Sequence, residues 1–518
     1  MTIVLAILLS VTLQTRFLQI ANANPQTIYI RSDGSIYPPT ASITTVDNVT
    51  YTFTDNINDS IMMERDDIVI DGDDFTLQGS RELFSVGINL SGRENVTVRN
   101  TQIKDFYYGI RLCSSSNYNT IIKNKLIGNG ISIYLDSSSN NSISENDMES
   151  DTYGVSLEFS SNNKVYGNNV TDSNPAGIII DHFSNNNNVY ENNMTSNYGG
   201  IELGYSSGNS ISRNNVANNY CGIYLYSSSG NNASKNSVVN NTYGIYIHEF
   251  STDSNVYENN VNNNTYGIWL MNASLNRIYH NNFVENSQQV SVDPSNNALY
   301  ANIWDDGYPS GGNYWSNYTG IDANVDGIGD SNCTIDTNNN DRYPLMGMFY
   351  GFNVSWIDSG YDVELISNSS VSVFGVGFWI EHPEDLNTRT IKFNVTGETG
   401  TVGFCRICIP TALLNATYTV LLNGTEIPFT LLPCSNNTHS YLYFNYTHST
   451  EEVIIIPEFP TFIALPLFFM IATLAALLKK RKHKPFFFYH SYSFNLALTS
   501  VSGILKRGRI TKRCEKTS

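Results

Sequence analysis

The sequence predicts an all-β chain: a parallel solenoid of about 22-residue coils, followed by a β-sandwich and one transmembrane helix. Three observations lead there. Between Tyr107 and Phe283 the chain repeats every 22 or 23 residues. Each repeat carries a short apolar alternation after a small residue, and an asparagine recurs at one place in every repeat.

The small residues are Gly109, Ser132, Gly154, Gly177, Gly200, Gly222, Gly244 and Gly267. Each precedes an apolar–any–apolar triplet, as in Gly154-Val155-Ser156-Leu157 and Gly267-Ile268-Trp269-Leu270, which is the period of a strand. Eleven or twelve residues later a second short strand ends in the column Asn124, Asn146, Asn168, Asn192, Asn214, Asn236, Asn259 and Asn281. An amide both donates and accepts, so asparagines stacked about 4.8 Å apart bond along the column. A coil this short cannot bury its apolar side alone, whereas a stack buries one continuous core. Interleaved hairpins would not hold this register over eight segments. Runs such as Ser137 to Asn141 and Asn185 to Asn188 are read as the turns between faces.

These repeats resemble those of right-handed parallel β-helix proteins, in particular the pectate-lyase-like and NosD-type families. The resemblance implies the right hand; spacing alone implies a parallel solenoid. It covers Tyr107 to Val292 and reaches back to Ile28, where Ile28-Tyr29-Ile30-Arg31-Ser32-Asp33-Gly34-Ser35-Ile36 looks like the start of archaeal surface proteins of this kind.

At 518 residues the chain has room for several domains. Its net charge of −18 argues against nucleic acid as a partner. The seven cysteines are sparse and odd in number, so no disulfide framework follows. Cys405-Arg406-Ile407-Cys408 sits in a strand context, which favours core packing, or one bridge to Cys434, over redox or zinc chemistry. Residues 1–23 read as a signal peptide, with an apolar run from Ile3 to Leu13 and a small-residue site at Ala21-Asn22-Ala23. Scattered Asn-x-Ser/Thr sequons, among them Asn48, Asn169, Asn232 and Asn272, suit an exterior, glycosylated protein.

Residues 24–348 are assigned to the solenoid, with an N-terminal cap and a closing segment rich in aromatic and glycine residues. A cap is required because an open solenoid end is an unpaired edge. Residues 349–456 lose the repeat and show short alternating stretches such as Thr390 to Val395, the pattern of a β-sandwich spacer. Residues 457–484 hold an uncharged run from Pro460 to Leu478 and then a basic cluster from Lys479 to Lys484. That run is long enough to span a bilayer, and the cluster places the following tail, 485–518, in the cytoplasm. Pro457-Glu458-Phe459-Pro460 resembles the archaeal PEF-type sorting signal, which implies attachment through a sortase-added lipid; such signals normally end soon after the basic cluster, whereas this chain continues.

Strand alternation fixes which side chains face out. Two residues after each small residue stand Arg111, Tyr134, Ser156, Ile179, Glu202, Tyr224, Tyr246 and Trp269; four after stand Cys113, Asp136, Glu158, Asp181, Gly204, Tyr226, His248 and Met271. The acids Asp136, Glu158, Asp181 and Glu202 form a ridge. Carboxyls at strand spacing suit acid–base glycoside cleavage, or calcium; an acidic protein also carries such a ridge as plain solvated surface. Polysaccharide lyases on the resembled fold use acidic residues and calcium. Tyr224, Tyr226, Tyr246 and Trp269 form an aromatic ridge suited to sugar faces, or serve simply as strand formers. His248 beside Met271 is a sparse copper pair, and copper handling is what the NosD-type resemblance implies. Asp322-Ala323-Asn324-Val325-Asp326-Gly327-Ile328-Gly329-Asp330 has the spacing of a calcium loop, with Asp322, Asn324, Asp326 and Asp330 as ligands and Cys333 where a glutamate usually closes the site.

The leading functional reading is an extracellular, surface-anchored solenoid that binds a polysaccharide or another cell-envelope partner without catalysis. A polysaccharide lyase or glycoside hydrolase using the acidic ridge is the enzyme reading, and a copper-handling accessory protein is the third.

Overall fold

The computed structural model describes residues 27–293, 301–356, 359–372, 390–414 and 417–457. The signal peptide, the apolar run, the basic cluster and the tail lie outside the described residues. Among the described residues, no helix is long and apolar enough to cross a membrane.

Each coil carries three strands, as in Tyr153–Glu158, Lys164–Tyr166 and Asn169–Thr171. Stacked on their equivalents they make three sheets. Sheet 1 has 13 strands, from Ile28–Ile30 to Gln288–Val292; sheet 2 has 12, from Ile43–Thr44 to Arg277–Tyr279; sheet 3 has 11, from Thr76–Gln78 to Tyr314–Trp315. Apart from antiparallel pairs near the start, the coils pair in parallel. Val155 pairs with Ile178, and Ile178 with Ile201. These aliphatic side chains point inward with no exposed surface, each contributing roughly 1.5–3 kcal/mol by leaving water.

Two strands per coil were legible from sequence, and the third was not. Sheets 2 and 3 are separated by one residue in the left-handed backbone region followed by the column asparagine. That bend residue is Gly167 in one coil but Lys123, Glu145, Glu191, Arg213, Lys235, Glu258 or His280 in others, with φ between 54° and 63°. Such residues seldom adopt this conformation, so the bend carries no glycine signal. The asparagine beside it supplies the compensation. Its side-chain amide donates to the next asparagine's Oδ1, from Asn124→Asn146 at 3.0 Å through Asn236→Asn259 at 2.9 Å to Asn281→Asn313 at 3.0 Å. It also donates to a main-chain carbonyl of the preceding coil, as Asn192 does to Val165 at 2.9 Å. The column is buried throughout.

Two more buried columns run beside it. One passes through Asn119, Asn141, Asn163, Asn187, Asn209 and Asn231; the other through Asn129, Asp151, Ser173, Asn197, Asn219, Asn241, Asn264 and Asn286. Buried serines 116, 138, 160, 184, 206 and 228 form a further file. The runs read as turns are thus turns with a buried polar seam. Along the first column the donation to the neighbouring asparagine has one direction: each main-chain N–H goes to the Oδ1 of the following coil. The file ends where Asn313 N–H donates to Asp341 Oδ2 at 2.8 Å, with Trp315 Nε1 on the same oxygen at 2.9 Å. Trp304 and Trp315 close the core.

From Met348 the chain forms two antiparallel five-stranded sheets. Strands Ile391–Thr396 and Thr450–Pro457 of one sheet and Ser359–Ser367 and Val402–Pro410 of the other contribute to one core, including Val363, Leu365, Phe393, Ile407 and Val453. A further strand, Met348–Trp356, is tied to the solenoid: Phe349 N–H donates to Asn282 Oδ1 at 2.7 Å, and Asn282 Nδ2 donates back to Phe349 O at 2.9 Å. Cys405 packs in the common core, while Cys408 joins a separate cluster with Leu432 and Tyr441 against which Cys434 packs.

Candidate functional site

The outward columns of sheet 1 are in the expected register. Tyr134 pairs with Ser156, Ile179 with Glu202, Tyr224 with Tyr246, and Tyr246 with Trp269. Asp136 pairs with Glu158, and Glu158 with Asp181. Three of the four acids have local partners. Asp136 accepts from Ser137 Oγ at 2.8 Å, Glu158 from Tyr134 OH at 3.0 Å, and Asp181 from His182 N–H at 2.7 Å.

A third outward column was missed. It stands one residue before each aligning glycine and reads Tyr153, Ala176, Gly199, Cys221, Tyr243 and Tyr266. The signal was present: tyrosines flank a run of small residues. That run leaves a trough, and the Glu202 side chain folds into it over Gly199. Among the described residues Glu202 accepts no hydrogen bond. Burial, with the neighbouring charge of Asp181, pushes its carboxyl up to about 7.

The aromatic ridge differs from the expected row of exposed rings. Tyr224 and Tyr246 stack on each other, centroids 4.9 Å apart and planes at 26°, and Trp269 packs on Tyr243 at 4.8 Å and on Tyr266 at 5.0 Å. At one strand spacing the rings cover one another's faces. Tyr246 and Trp269 therefore offer edges along the ridge. Tyr224 is the lowest ring of its stack, and its register partner on the other side is Glu202.

There the two ridges meet, at Gly204. This residue takes the place of a side chain in the outermost column, between Asp181 and Tyr226. A Cβ added at Gly204 would lie 2.6 Å from Asp181 Oδ1. The gap opens a cleft of about 270 Å3 with Gly204 and Ile179 at its floor and Asp181, Glu202, Tyr205, Tyr224 and Tyr226 as walls. Tyr205 OH donates to Tyr226 OH at 3.3 Å. Tyr224 OH lies 3.1 Å from His248 Nδ1, and burial lowers that imidazole below its ordinary value. A larger cavity, about 550 Å3, lies between the last coil and the closing segment, with Glu285 as its single carboxylate.

His248 and Met271 are register partners, but Met271 Sδ accepts from Tyr246 OH at 3.4 Å. In the 322–330 loop, Asp322 accepts from Asp326 N–H at 3.0 Å and Gly327 N–H at 2.7 Å, and Asp330 accepts from Ala323 N–H at 2.6 Å. Among the described residues, no three His, Cys, Asp or Glu side chains are arranged to hold a metal ion. Calcium also takes amide and main-chain oxygens, and each carboxylate oxygen keeps a lone pair beyond the amide it accepts.

The family described as "Right handed beta helix region" matches residues 108–261 and again 192–324. The repeat is a right-handed β-helix. Solved structures similar to this β-helix include the periplasmic alginate epimerase AlgG, at 16% identity over 51% of this chain and 78% of that one, with a TM-score of 0.40. The A-module of the Azotobacter vinelandii mannuronan C-5 epimerase AlgE6 is 14% identical over 54% and 87%, with a TM-score of 0.40. The catalytic domain of a GH87 alpha-1,3-glucanase in complex with nigerose is 14% identical over 50% and 57%, at 0.32. These are likenesses of fold. No curated protein matches the chain by sequence.

Proposed function

We propose that the protein is an exported, surface-anchored β-helix that binds carbohydrate on sheet 1, with the cleft at Gly204 as the principal subsite. The observation that carries this reading is the cleft itself, where the one gap in the outermost column is walled by carboxylates and tyrosines. Tyr224 and Tyr226 supply ring surface for a sugar's apolar face, and Asp181 and Glu202 supply acceptors for its hydroxyls. The antiparallel sheets from Met348 are read as a β-sandwich spacer. Support for export and anchoring comes from the sequence at residues 1–23 and 457–484. The test is a glycan array followed by calorimetry: Tyr224→Ala and Tyr226→Ala each weaken binding about tenfold, or about 1.4 kcal/mol. Equal affinity in both variants and the parent removes the reading.

One observation favours a catalytic version. Glu202, with a carboxyl near 7 beside Asp181, has the property wanted of a proton donor at neutral pH. In that case Glu202→Gln abolishes release of new chain ends while leaving binding intact; no product from the parent chain with any bound glycan disposes of it. Calcium at Asp322, Asn324, Asp326 and Asp330 is a separate, structural proposal resting on their spacing. A melting temperature unmoved by chelator rejects it.

A further inference from the structure

Cations are distributed unevenly around the coils. Residues 104–277 contain eight Lys and Arg. Lys104 and Lys125 lie on sheet 3, Lys164 and Arg277 on sheet 2, and Lys123, Arg213 and Lys235 at the bend between those sheets. Arg111 alone is on sheet 1, and it is engaged there: its guanidinium lies 5.4 Å from the Tyr108 ring centroid and donates to Cys113 Sγ at 3.2 Å. From Ile131 to Met271 the outward columns of sheet 1 hold four carboxylates and no Lys or Arg. His182 stands beside the acids, its Nδ1 3.2 Å from Asp181 Oδ2. His248, higher on the face, faces Tyr224 OH and Glu249.

We infer that the cleft and the face around it select uncharged glycans and reject polyuronates and sulfated polymers. The inference rests on the carbohydrate reading above and specifies its ligand class. A polyuronate carries a carboxylate on each residue. Laid along sheet 1, it brings those charges beside Asp136, Glu158, Asp181 and Glu202 with no arginine or lysine to receive them, and like charges at such spacing repel. Recognition of planar anionic groups is ordinarily the task of arginine. A neutral pyranose needs none. Its hydroxyls donate to Asp181 and Glu202, its apolar face rests on tyrosine, and Gly204 leaves room for its ring.

The experiment uses the full chain against matched neutral and anionic polymers, a glucan and a mannan against a polygalacturonate and a polymannuronate, at 20 mM and about 300 mM salt. Expected are binding of a neutral polymer that changes less than about twofold with salt, and polyuronate binding at least about tenfold weaker at low salt, gaining with salt as repulsion is screened. Asp181→Asn with Glu202→Gln is expected to raise polyuronate affinity several-fold at low salt. Tight polyuronate binding that falls with salt overturns the selectivity and leaves carbohydrate binding standing. Binding of neither class overturns both. Polyuronate binding that appears only with added calcium assigns the carboxylates to a cation bridge, and also overturns the selectivity.

Discussion

The inside of the coil bends and the outside of sheet 1 are both columns at one strand spacing, yet they are written differently. Within a bend the same residue type recurs coil after coil, because each amide's acceptor is the next amide. On sheet 1 the column through Glu202 passes from arginine to tyrosine, serine, isoleucine, glutamate and tryptophan within eight coils. Uniform columns are what stacking requires, since a buried polar group is tolerated only when paired. Where water is available that requirement lapses, and the residues are free to serve something else.

The largest expected effect tests the inner column. Asn192→Ala leaves Asn168 N–H without its acceptor, takes one acceptor from Asn168 Nδ2, and removes the side-chain donor to Val165 O and Asn214 Oδ1. A loss of roughly 3–5 kcal/mol is expected by urea unfolding; a loss under about 1 kcal/mol would show that water replaces the amide and that uniformity is not structural.

Next is the one acid among the asparagines of the third column. Asp151 accepts from Asn129 N–H at 2.7 Å and from Ser132 Oγ at 2.6 Å, and burial pushes its carboxyl from 3.8 up to about 7. The folded state therefore holds the proton more tightly than the unfolded state. This contribution is greatest below about pH 4 and is lost as pH rises towards 7. Asp151→Asn is expected to restore the column, remove that dependence, and stabilise the protein by roughly 2–4 kcal/mol at pH 8. Parallel pH profiles for the two proteins would refute it.

A third change sharpens the outer side. Gly204→Val fills the cleft and displaces Asp181. Glycan affinity is expected to fall at least about tenfold with a far-UV spectrum like the parent's; retained affinity moves the subsite elsewhere. The smallest effect belongs to the partly exposed file on sheet 3, where Asn193 Nδ2 donates to Asn169 Oδ1 and Asn169 Nδ2 to Asp147 Oδ1, both at 2.7 Å. Asn169→Ala is expected to cost about 0.5 kcal/mol. A cost equal to that of Asn192→Ala would erase the distinction between inside and outside.

Legibility in the sequence followed the same division. Gly154, Gly177 and Gly200 carried the period and Asn124 through Asn281 the ladder, because stacking repeats its demands at every coil. The third strand went unseen because its bend is made by lysine, glutamate, arginine and histidine, whose usual preferences give no warning. The asparagine file through Asn141 and the serine file through Ser138 hid in stretches such as Ser137 to Asn141, where buried and exposed residues are mixed within one polar run. Alternation gives the register of the acids and rings, but the cleft depends on residues with nothing to show: Gly199 and Gly204 matter for the space they leave. The mutual covering of Tyr224 and Tyr246 was not apparent either, since a column of residue names does not say which way a ring tilts.

Asp341 gives the one-way file of Asn124 to Asn313 a terminus. Every asparagine in the series hands its main-chain N–H forward, so wherever the series is cut the last member presents an unspent donor and a bare strand edge, an invitation to another molecule. The Asp341 carboxylate collects that donor. A chain ending before Trp304 loses this stop, and is expected to polymerise head to tail into filaments visible by light scattering, with the cut end of one molecule seeding on the start of the next.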